Sequence, residues 1–307
     1  MASTPVRRRV RAMAELDDSP QRVMIVIMTL GATDLVFISE AARYIEHPTF
    51  LLKITNALGQ PLERGLKMLP KPAERLVQHA TESALKAALR VAIASLPKQP
   101  PPARSFAEAL ASAKQTRISH DFAAAAAGAA GGLFGLAALL VELPVTTTLM
   151  LRSIARVATL FGEDLTDPAA RLDCLFVFSA GGGAPAAESA EAGYYSSRLA
   201  FASLVKEAAS FVGNAGAREA AHAVSTKTAP VLMRLLAPVA ARFELVVSDK
   251  LVAQLIPIAG AASGAAVNVV FNEHFESLAR YHFGLRRLER EHGAELVQAA
   301  YQQAFKA

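Results

Sequence analysis

The stretch from residue 119 to residue 155, SHDFAAAAAGAAGGLFGLAALLVELPVTTTLMLRSIA, decides the fold of this chain. It has no charged residue between Asp121 and Glu142, and its glycines recur at intervals of four, as in Gly128 and Gly132. In a helix this spacing leaves a groove without side chains, which lets a second helix approach closely. Because each glycine costs a helix about 1 kcal/mol relative to alanine, the pattern predicts a tightly packed helix.

The uncharged run is also close to the roughly 20 residues that a membrane-spanning helix needs. Its first half is mostly alanine, which gains little on transfer to lipid, and the strongly apolar side chains begin at Leu133. Two interpretations therefore stay open: a helix buried in protein, which the composition favours, and a segment embedded in lipid.

A second uncharged stretch of small residues covers residues 255–272, with Gly260 and Gly264 again four apart. Two such stretches in one chain suggest that each packs against the other, so we expect a helix at residues 123–141 to pair with one at residues 257–272. We predict an all-α fold, a multi-helix bundle with two Gly/Ala-rich apolar helices packed at its centre.

Glu142 and Pro144 mark the end of the first apolar stretch. Since proline disfavours the helical conformation of the residue before it and suits a first turn, we expect a break here and a new helix over Pro144–Leu160. The simpler interpretation of Glu142 is an acid near a helix start, where the helix dipole favours a carboxylate. The alternative is a carboxylate in apolar surroundings with a shifted pKa.

Polar side chains near the ends of the two apolar stretches form the candidate site. Asn268 and Asn272 are one helical turn apart on an apolar face, and a buried asparagine usually has a hydrogen-bond partner. We therefore predict a polar cluster that could line a ligand pocket. Its candidate residues are His120, Asp121, Glu142, Arg152, Asn268 and Asn272.

Hydrophobic periodicity and helix-capping residues predict further helices. The spacing of small and apolar residues predicts a helix over Ala73–Leu96, with Leu76, Ala80, Ala84, Ala87 and Val91 on its buried face. Gly162 is expected to end the helix that follows Pro144. Asp167 is then expected to cap another helix, with Pro168 in its first turn.

The last helix is rich in charge from Arg280 to Glu295. The pairs His274 with Arg280 and His282 with Arg286 are most simply interpreted as part of its solvated face. Glycines at residues 181–183 are not a phosphate loop, because no Lys-Ser or Lys-Thr pair follows them.

Composition limits the possible functions. Hydrophobic residues make up 52% of the 307 residues and charged residues 19%, which is more apolar than an ordinary cytosolic protein. The net charge is +5, and much of the excess lies in the Arg7–Arg11 segment. This favours an anionic membrane surface over nucleic acid, for which no fingerprint is present. We expect a cytoplasmic location, with the inner-membrane surface as the place of a peripheral contact.

The residues with catalytic or metal-binding chemistry form no familiar pattern. Cys174 is the only cysteine, which excludes an internal disulfide and a cysteine-built zinc site. The seven histidines form no HExxH motif, and no GxSxG nucleophile elbow occurs. We expect no cofactor and no metal, and the sequence leaves open whether the protein is an enzyme.

The chain divides into an N-terminal extension over residues 1–39 and a helical domain over residues 40–307, with a proline-rich linker near residues 97–104. Residues 23–38 contain dense apolar runs, which we interpret as a short strand or a buried first helix rather than an export signal.

Several motifs resemble the EcsC protein family of bacteria. They cover most of residues 40–293, and similarity is weaker near residues 46–48 and 59–63. The motifs are the segments at residues 120–136, Glu142-Leu143-Pro144, Thr147–Ile154, Asp167–Leu172, Val247–Lys250, Ile256–Ala261, Asn268 and His282–Glu289.

The resemblance implies little about activity, because it brings no established catalytic residues. The family takes its name from a bacterial protein associated with an ABC transporter system, so a transporter or membrane lipid is the expected partner. The alternatives are a hydrolase-like enzyme and a protein that binds an apolar ligand, both using the polar cluster around Glu142.

Overall fold

The computed structural model describes residues 30–46, 71–94, 96, 101–115, 139–180, 193–255 and 262–306. These residues form eleven helices and contain no strand, so the predicted all-α fold is confirmed. Residues 122–138 and 256–261 lie outside the described residues, and the central packing of two Gly/Ala-rich helices therefore stays a prediction. The same holds for the division at residue 40 and for the linker near residues 97–104.

In chain order the helices are α1 (Ala32–Glu46), α2 (Lys71–Ala94), α3 (Phe106–Gln115), α4 (Leu139–Leu160), α5 (Pro168–Asp173), α6 (Phe176–Ala180), α7 (Gly193–Ala215), α8 (Ala217–Thr226), α9 (Pro230–Leu255), α10 (Ala262–His292) and α11 (Ala294–Lys306).

Four long helices form the centre of the bundle. The helix α2 packs against α4 and α9, and α10 packs against the same two helices. The shorter helices surround this group: α1, α3 and α11 lie along α10, whereas α7 and α8 lie beside α9 and α2. The buried ion pair described first below joins α4 and α9 within this centre.

The buried side of α2, which packs against α4 and α9, carries a row of alanines. Ala80, Ala84, Ala88 and Ala92 recur every four residues on α2, and all four are fully buried. Small side chains at this spacing let the two backbones approach closely. The predicted buried face was only partly right, because Leu76, Ala87 and Val91 are half-buried and the face is centred instead on the alanine row.

The predicted helix break at Pro144 is wrong. The helix α4 runs continuously from Leu139 to Leu160 with Pro144 inside it. Proline removes the N–H group that would reach the carbonyl of Leu140, which costs a helix stability. Burial of Leu143, Thr146 and the following residues against neighbouring helices offsets this local cost.

The local signals after α4 are confirmed. Gly162 has a φ of 89° just beyond the end of α4, a conformation that glycine adopts without strain. The Asp167 carboxylate accepts a hydrogen bond of 2.9 Å from the N–H of Ala169, and Pro168 opens α5. The single helix expected from the sequence is divided into two short helices, α5 and α6, because a turn joins Leu172 to Leu175.

The N-terminal apolar run is at least partly helical. Residues 32–46 form α1, which buries Phe37, Ile38, Ala41 and Ile45 against α10 and α11, and residues 23–29 lie outside the described residues. Gly284 of α10 lies directly against the Phe37 ring, where an added Cβ would be 2.3 Å from Cζ. The two helices can therefore approach closely only because residue 284 has no side chain.

Candidate functional site

A buried ion pair joins α9 to α4. The Nζ atom of Lys250 donates a hydrogen bond of 2.9 Å to Oε1 of Glu142, and it lies 4.7 Å from the centre of the Phe271 ring. The Lys250 side chain is fully buried and that of Glu142 is 14% exposed. Burial lowers the pKa of Lys250, although the Glu142 carboxylate acts in the opposite direction. Two charges removed from water at this depth are retained only because they pair.

A row of polar side chains on α10 continues from this pair. Asn268, Asn272 and Glu276 are four residues apart, so they share one face of the helix. The hydroxyl of Ser153 on α4 donates a hydrogen bond of 3.0 Å to Glu276. Polar residues therefore lie inside the interface between α4 and α10.

The matching row on α4 consists of Glu142, Thr146 and Ser153, which also share one face because four and seven residues separate them. Glu142 approaches Phe271 of α10 through Lys250, whereas Ser153, further along α4, bonds Glu276. The two helices therefore run in the same direction. We call these two rows, together with Lys250, the polar seam. The seam is mostly buried: Thr146, Ser153, Asn268 and Asn272 are each exposed by less than a tenth.

The seam contains buried polar atoms without a partner among the described residues. They are Oδ1 of Asn268, Oδ1 of Asn272 and, on the adjoining side of α4, Oγ1 of Thr147. Buried side-chain oxygens are normally hydrogen-bonded, so each of these atoms marks a place that could receive a further donor group.

Three of the six predicted site residues, namely Glu142, Asn268 and Asn272, lie on the polar seam with little exposure, and the cluster that they are expected to form stays a prediction. Arg152 lies on the exposed side of α4 instead. His120 and Asp121 lie outside the described residues. Sequence reasoning missed Lys250 as a site residue, although it is the only lysine of α9.

A second polar network surrounds the C-terminal half of α10. The ring of His282 is fully buried, with Nδ1 2.9 Å from the Tyr194 hydroxyl and Nε2 3.5 Å from the Asp173 carboxylate. Because a carboxylate can only accept, the proton of the neutral ring belongs on Nε2, and Nδ1 accepts from Tyr194. The Tyr194 hydroxyl in turn accepts from Arg198 at 3.5 Å.

The interpretation of His274 and His282 as part of a solvated face is wrong. His274 is 2% exposed and contacts Tyr44, while His282 stacks against Phe176 at a ring distance of 5.0 Å. The reason is the position of α10, which contacts α1, α4, α6, α9 and α11 and has partners on most of its sides. Several of its charged residues therefore pair with side chains outside α10.

Ionisation in this network follows from burial and charge. Burial lowers the pKa of His282 and outweighs the Asp173 carboxylate beside it. Burial also opposes ionisation of Asp173, but the nearby Nε2–H of His282 and the charge of Arg286 keep the pKa of Asp173 below its usual value. At neutral pH the arrangement is a neutral imidazole beside a carboxylate. Burial raises the pKa of Tyr194 to about 12, so its hydroxyl stays protonated.

Three arginines tie this network to neighbouring helices. Arg286 forms two parallel hydrogen bonds of 2.9 Å with Glu163 and also bonds Asp173. Arg290 bonds the same Glu163 carboxylate and the carbonyl of Phe161. Glu163 is 7% exposed, so one buried carboxylate serves two guanidinium groups.

The third arginine, Arg198 of α7, bonds Glu289 of α10 at 2.8 Å. The Tyr195 hydroxyl donates to the same glutamate at 3.0 Å, and burial raises the pKa of Tyr195. On the other side of Tyr194, Glu46 accepts from the Tyr194 backbone N–H and from the Tyr301 hydroxyl, both at 3.1 Å. These contacts hold α1, α7, α10 and α11 in a fixed arrangement.

The chemistry available to these groups is limited by burial. His282 and Asp173 resemble a general-base pair, but in the described part of the chain no serine or cysteine bonds His282, and its Nδ1 is engaged by Tyr194. Burial raises the pKa of the Cys174 thiol, which is unfavourable for a nucleophile. The described residues contain no group of three or more histidine, cysteine or carboxylate side chains that could hold a metal ion.

A helix that crosses a membrane needs about 20 predominantly apolar residues, a length that several of the described helices reach. None of them is both long enough and apolar enough to cross a bilayer. The stretch at residues 122–138, for which the sequence left a lipid-embedded interpretation open, lies outside the described residues.

Comparison with known proteins gives one family. A family model described as the EcsC protein family matches residues 38–288, which include the polar seam, Asp173 and His282. No curated protein matches the chain, and no solved structure does. Because the match covers most of the chain, this protein belongs to the EcsC protein family.

Proposed function

We propose that this EcsC family protein acts at the cytoplasmic surface of an anionic membrane, as a peripheral protein that contacts lipid through the exposed face of α4. A peripheral contact of this kind needs no spanning helix. It needs apolar side chains that can enter the headgroup region and basic side chains that can pair with lipid phosphates.

The observation that carries the proposal is the composition of that face. Val141 and Val145 are 72% and 50% exposed, and they lie one turn apart near the start of α4. Arg152 and Arg156 follow on the same side, also one turn apart and exposed. Neither arginine has an ion-pair partner among the described residues, so both charges are available to a partner.

Exposed apolar residues that are scattered singly over a surface need no explanation. The position of this face in the chain, however, favours a contact with lipid over a chance arrangement of such residues. Val141 is the last residue of the long uncharged stretch that begins after Asp121, and an adjoining side of α4 is anchored by the pair between Glu142 and Lys250. The basic segment Arg7–Arg11 would add to the same attraction.

The test is sedimentation of the protein with protein-free vesicles, which separates lipid from a membrane transporter as the partner. We expect binding to vesicles that contain phosphatidylglycerol, weak binding to phosphatidylcholine alone, and partial release by salt. Each basic residue near an anionic surface contributes about 1 kcal/mol, so the double variant Arg152→Gln, Arg156→Gln should bind roughly 30-fold more weakly. The double variant Val141→Ser, Val145→Ser should also weaken binding, with less dependence on salt.

Two exposed residues on other helices give matched controls. Leu245→Ser on α9 removes an apolar side chain that is 56% exposed, and Arg218→Gln on α8 removes an exposed positive charge. Both should bind vesicles like the parent protein. Equal binding of all variants, or no preference for phosphatidylglycerol, would reject the proposal.

A further inference from the structure

A surface cleft of about 720 Å³ opens between α7, α10 and α11. Its volume lies within the range of sites that bind small molecules. The cleft borders the network around His282, since Asp173 and Arg286 belong to both. None of its lining residues belongs to α4, and the inference that follows does not depend on the proposed membrane function.

Charges along the cleft are arranged in two layers. Its three arginines, Arg198, Arg286 and Arg290, have side chains that are 20%, 30% and 43% exposed. The carboxylates that pair with them are deeper: Asp173 and Glu289 are 10% exposed, and Glu163 is 7% exposed. The guanidinium groups therefore form the surface that a ligand would meet, although the network as a whole is nearly neutral.

The arginines have donor groups left for a ligand. A guanidinium carries five N–H donors. Arg198 uses Nη1 for Tyr194 and Nη2 for Glu289, and Arg290 uses its two terminal nitrogens for Glu163 and for the carbonyl of Phe161. The carboxylates behind them hold these side chains in place, so a ligand would meet preorganised donors.

The remaining wall suits the organic part of a ligand. Leu199 lines the cleft and is 77% exposed, the highest value among the large apolar side chains that are exposed in the described residues. Ala202 and Ala294 lie along the same cleft, and the amide side chains of Gln298 and Gln302 complete it. An apolar wall beside a layer of arginines fits an oxyanion attached to a small apolar body.

We propose that this cleft binds a small organic oxyanion, with its carboxylate or phosphate group on the outer faces of Arg198 and Arg290 and its apolar body against Leu199. In this arrangement the ligand does not have to displace Glu289 or Glu163, because it uses donors that those carboxylates leave free.

Leu199 offers a test that breaks no ion pair. The variants Leu199→Lys, Leu199→Gln and Leu199→Glu change the charge of the cleft at an exposed position, and Leu199→Gln is the neutral control. The parent protein and the three variants are titrated with phenyl phosphate, benzoate and inorganic phosphate in an isothermal calorimeter. At least one of the two organic probes should show saturable binding. Relative to Leu199→Gln, we expect the dissociation constant to be about fivefold lower for Leu199→Lys and about fivefold higher for Leu199→Glu.

The outcomes separate the possible ligands. Tighter binding of phenyl phosphate than of benzoate would assign a phosphate ester, and the reverse order a carboxylate. Equal melting temperatures of the three variants without probe would show that the fold is unchanged. No saturable heat from any probe, or dissociation constants that do not follow the charge at residue 199, would overturn the proposal.

Vesicle binding distinguishes a soluble ligand from a lipid headgroup and keeps this test separate from that of the proposed function. The three Leu199 variants should bind phosphatidylglycerol vesicles equally, since α7 does not form the α4 face. If vesicle binding followed the charge at residue 199 while the soluble probes did not bind, the oxyanion would be a lipid phosphate and the proposal of a soluble ligand would be wrong.

Discussion

Lys250 and Glu142 form an ion pair at 2.9 Å in which the lysine is fully buried. The two residues are 108 positions apart in the chain, and they connect α9 to α4 at the end of the polar seam. Both belong to segments by which the sequence resembles the EcsC family. The seam is therefore a feature that residues from distant segments build together.

Removal of one partner of this pair should destabilise the protein far more than removal of both. Lys250→Met leaves the Glu142 carboxylate without its partner, and breaking a buried pair from one side costs about 3–5 kcal/mol. The double variant Glu142→Leu, Lys250→Met should recover most of that loss, because no charge is left unpaired. Urea unfolding of the parent, Lys250→Met, Glu142→Leu and the double variant measures the coupling free energy between the two residues. Additive effects of the two single substitutions would show that the pair is not coupled.

Gly284→Ala should destabilise the contact between α10 and α1. The added Cβ would lie 2.3 Å from the Phe37 ring, and overpacking of this kind costs about 1–3 kcal/mol. The matched control is Gly213→Ala in α7, where no atom lies within 4 Å of the added Cβ. Since alanine is the better helix former, that variant should gain about 0.5–1 kcal/mol. Thermal unfolding should show a lower melting temperature for Gly284→Ala and a higher one for Gly213→Ala. Similar changes in melting temperature for the two variants would contradict the close contact between Gly284 and Phe37.

The parts of the fold that were predicted correctly depend on local chemistry. The cap at Asp167, the proline at the start of α5 and the glycine after α4 each act within a few residues, so they can be recognised in a single sequence. The predicted break at Pro144 failed for a related reason. Its cost is local, but the burial of α4 that offsets this cost comes from helices elsewhere in the chain.

The site was harder to predict, because its partners are distant in the chain. Glu142, Asn268 and Asn272 could be proposed as polar residues near apolar stretches, whereas Lys250 could not be linked to Glu142. The charges of α10 look like a solvated face when the helix is considered alone. Arg286 and His282 find Glu163 and Asp173 more than a hundred positions earlier, and only the assembled bundle shows these pairs.

Glu163→Gln should be much more destabilising than a similar change in a surface pair. Glu163 is 7% exposed and accepts from both Arg286 and Arg290, so the substitution leaves two guanidinium groups poorly compensated, at a cost of about 3 kcal/mol.

The matched control for Glu163→Gln is Glu82→Gln in α2. Glu82 also bonds two cations, Lys86 and Lys227, which lower its pKa to about 2, but its side chain is 44% exposed. Exposed pairs contribute about 0–1 kcal/mol, so Glu82→Gln should have little effect. Denaturant unfolding compares the two directly, and equal losses would mean that burial does not strengthen the Glu163 network.

Asp249→Asn should stabilise the protein at neutral pH. Burial raises the pKa of Asp249 to about 6 from 3.8, so keeping this carboxylate ionised above pH 6 opposes folding. Asparagine removes that cost, with an expected gain of about 1–3 kcal/mol at pH 7 that declines as the pH falls towards 4. Melting temperatures of the variant and the parent across this range provide the measurement. A gain that is the same at every pH would point to packing instead of ionisation.

His282 should make the protein less stable as the pH falls below 6.5. The pKa of His282 is lowered from 6.5 in the folded state, so between the two values the unfolded chain binds a proton that the folded chain does not. Stability therefore decreases with falling pH, by at most about 1.4 kcal/mol per pH unit for one group. Asp173, whose pKa is also lowered, adds a loss in the same direction at more acidic pH.

The variant His282→Gln separates this effect from the opposite contribution of Asp249. Glutamine can still accept from Tyr194 and donate towards Asp173, but it does not titrate. It should lower stability at pH 8 and remove part of the decline between pH 6.5 and pH 5. Tyr194→Phe is the control, because it removes the hydroxyl contact and keeps the titrating ring. If the parent and His282→Gln lost stability in parallel over this range, the imidazole would not be the group that takes up the proton.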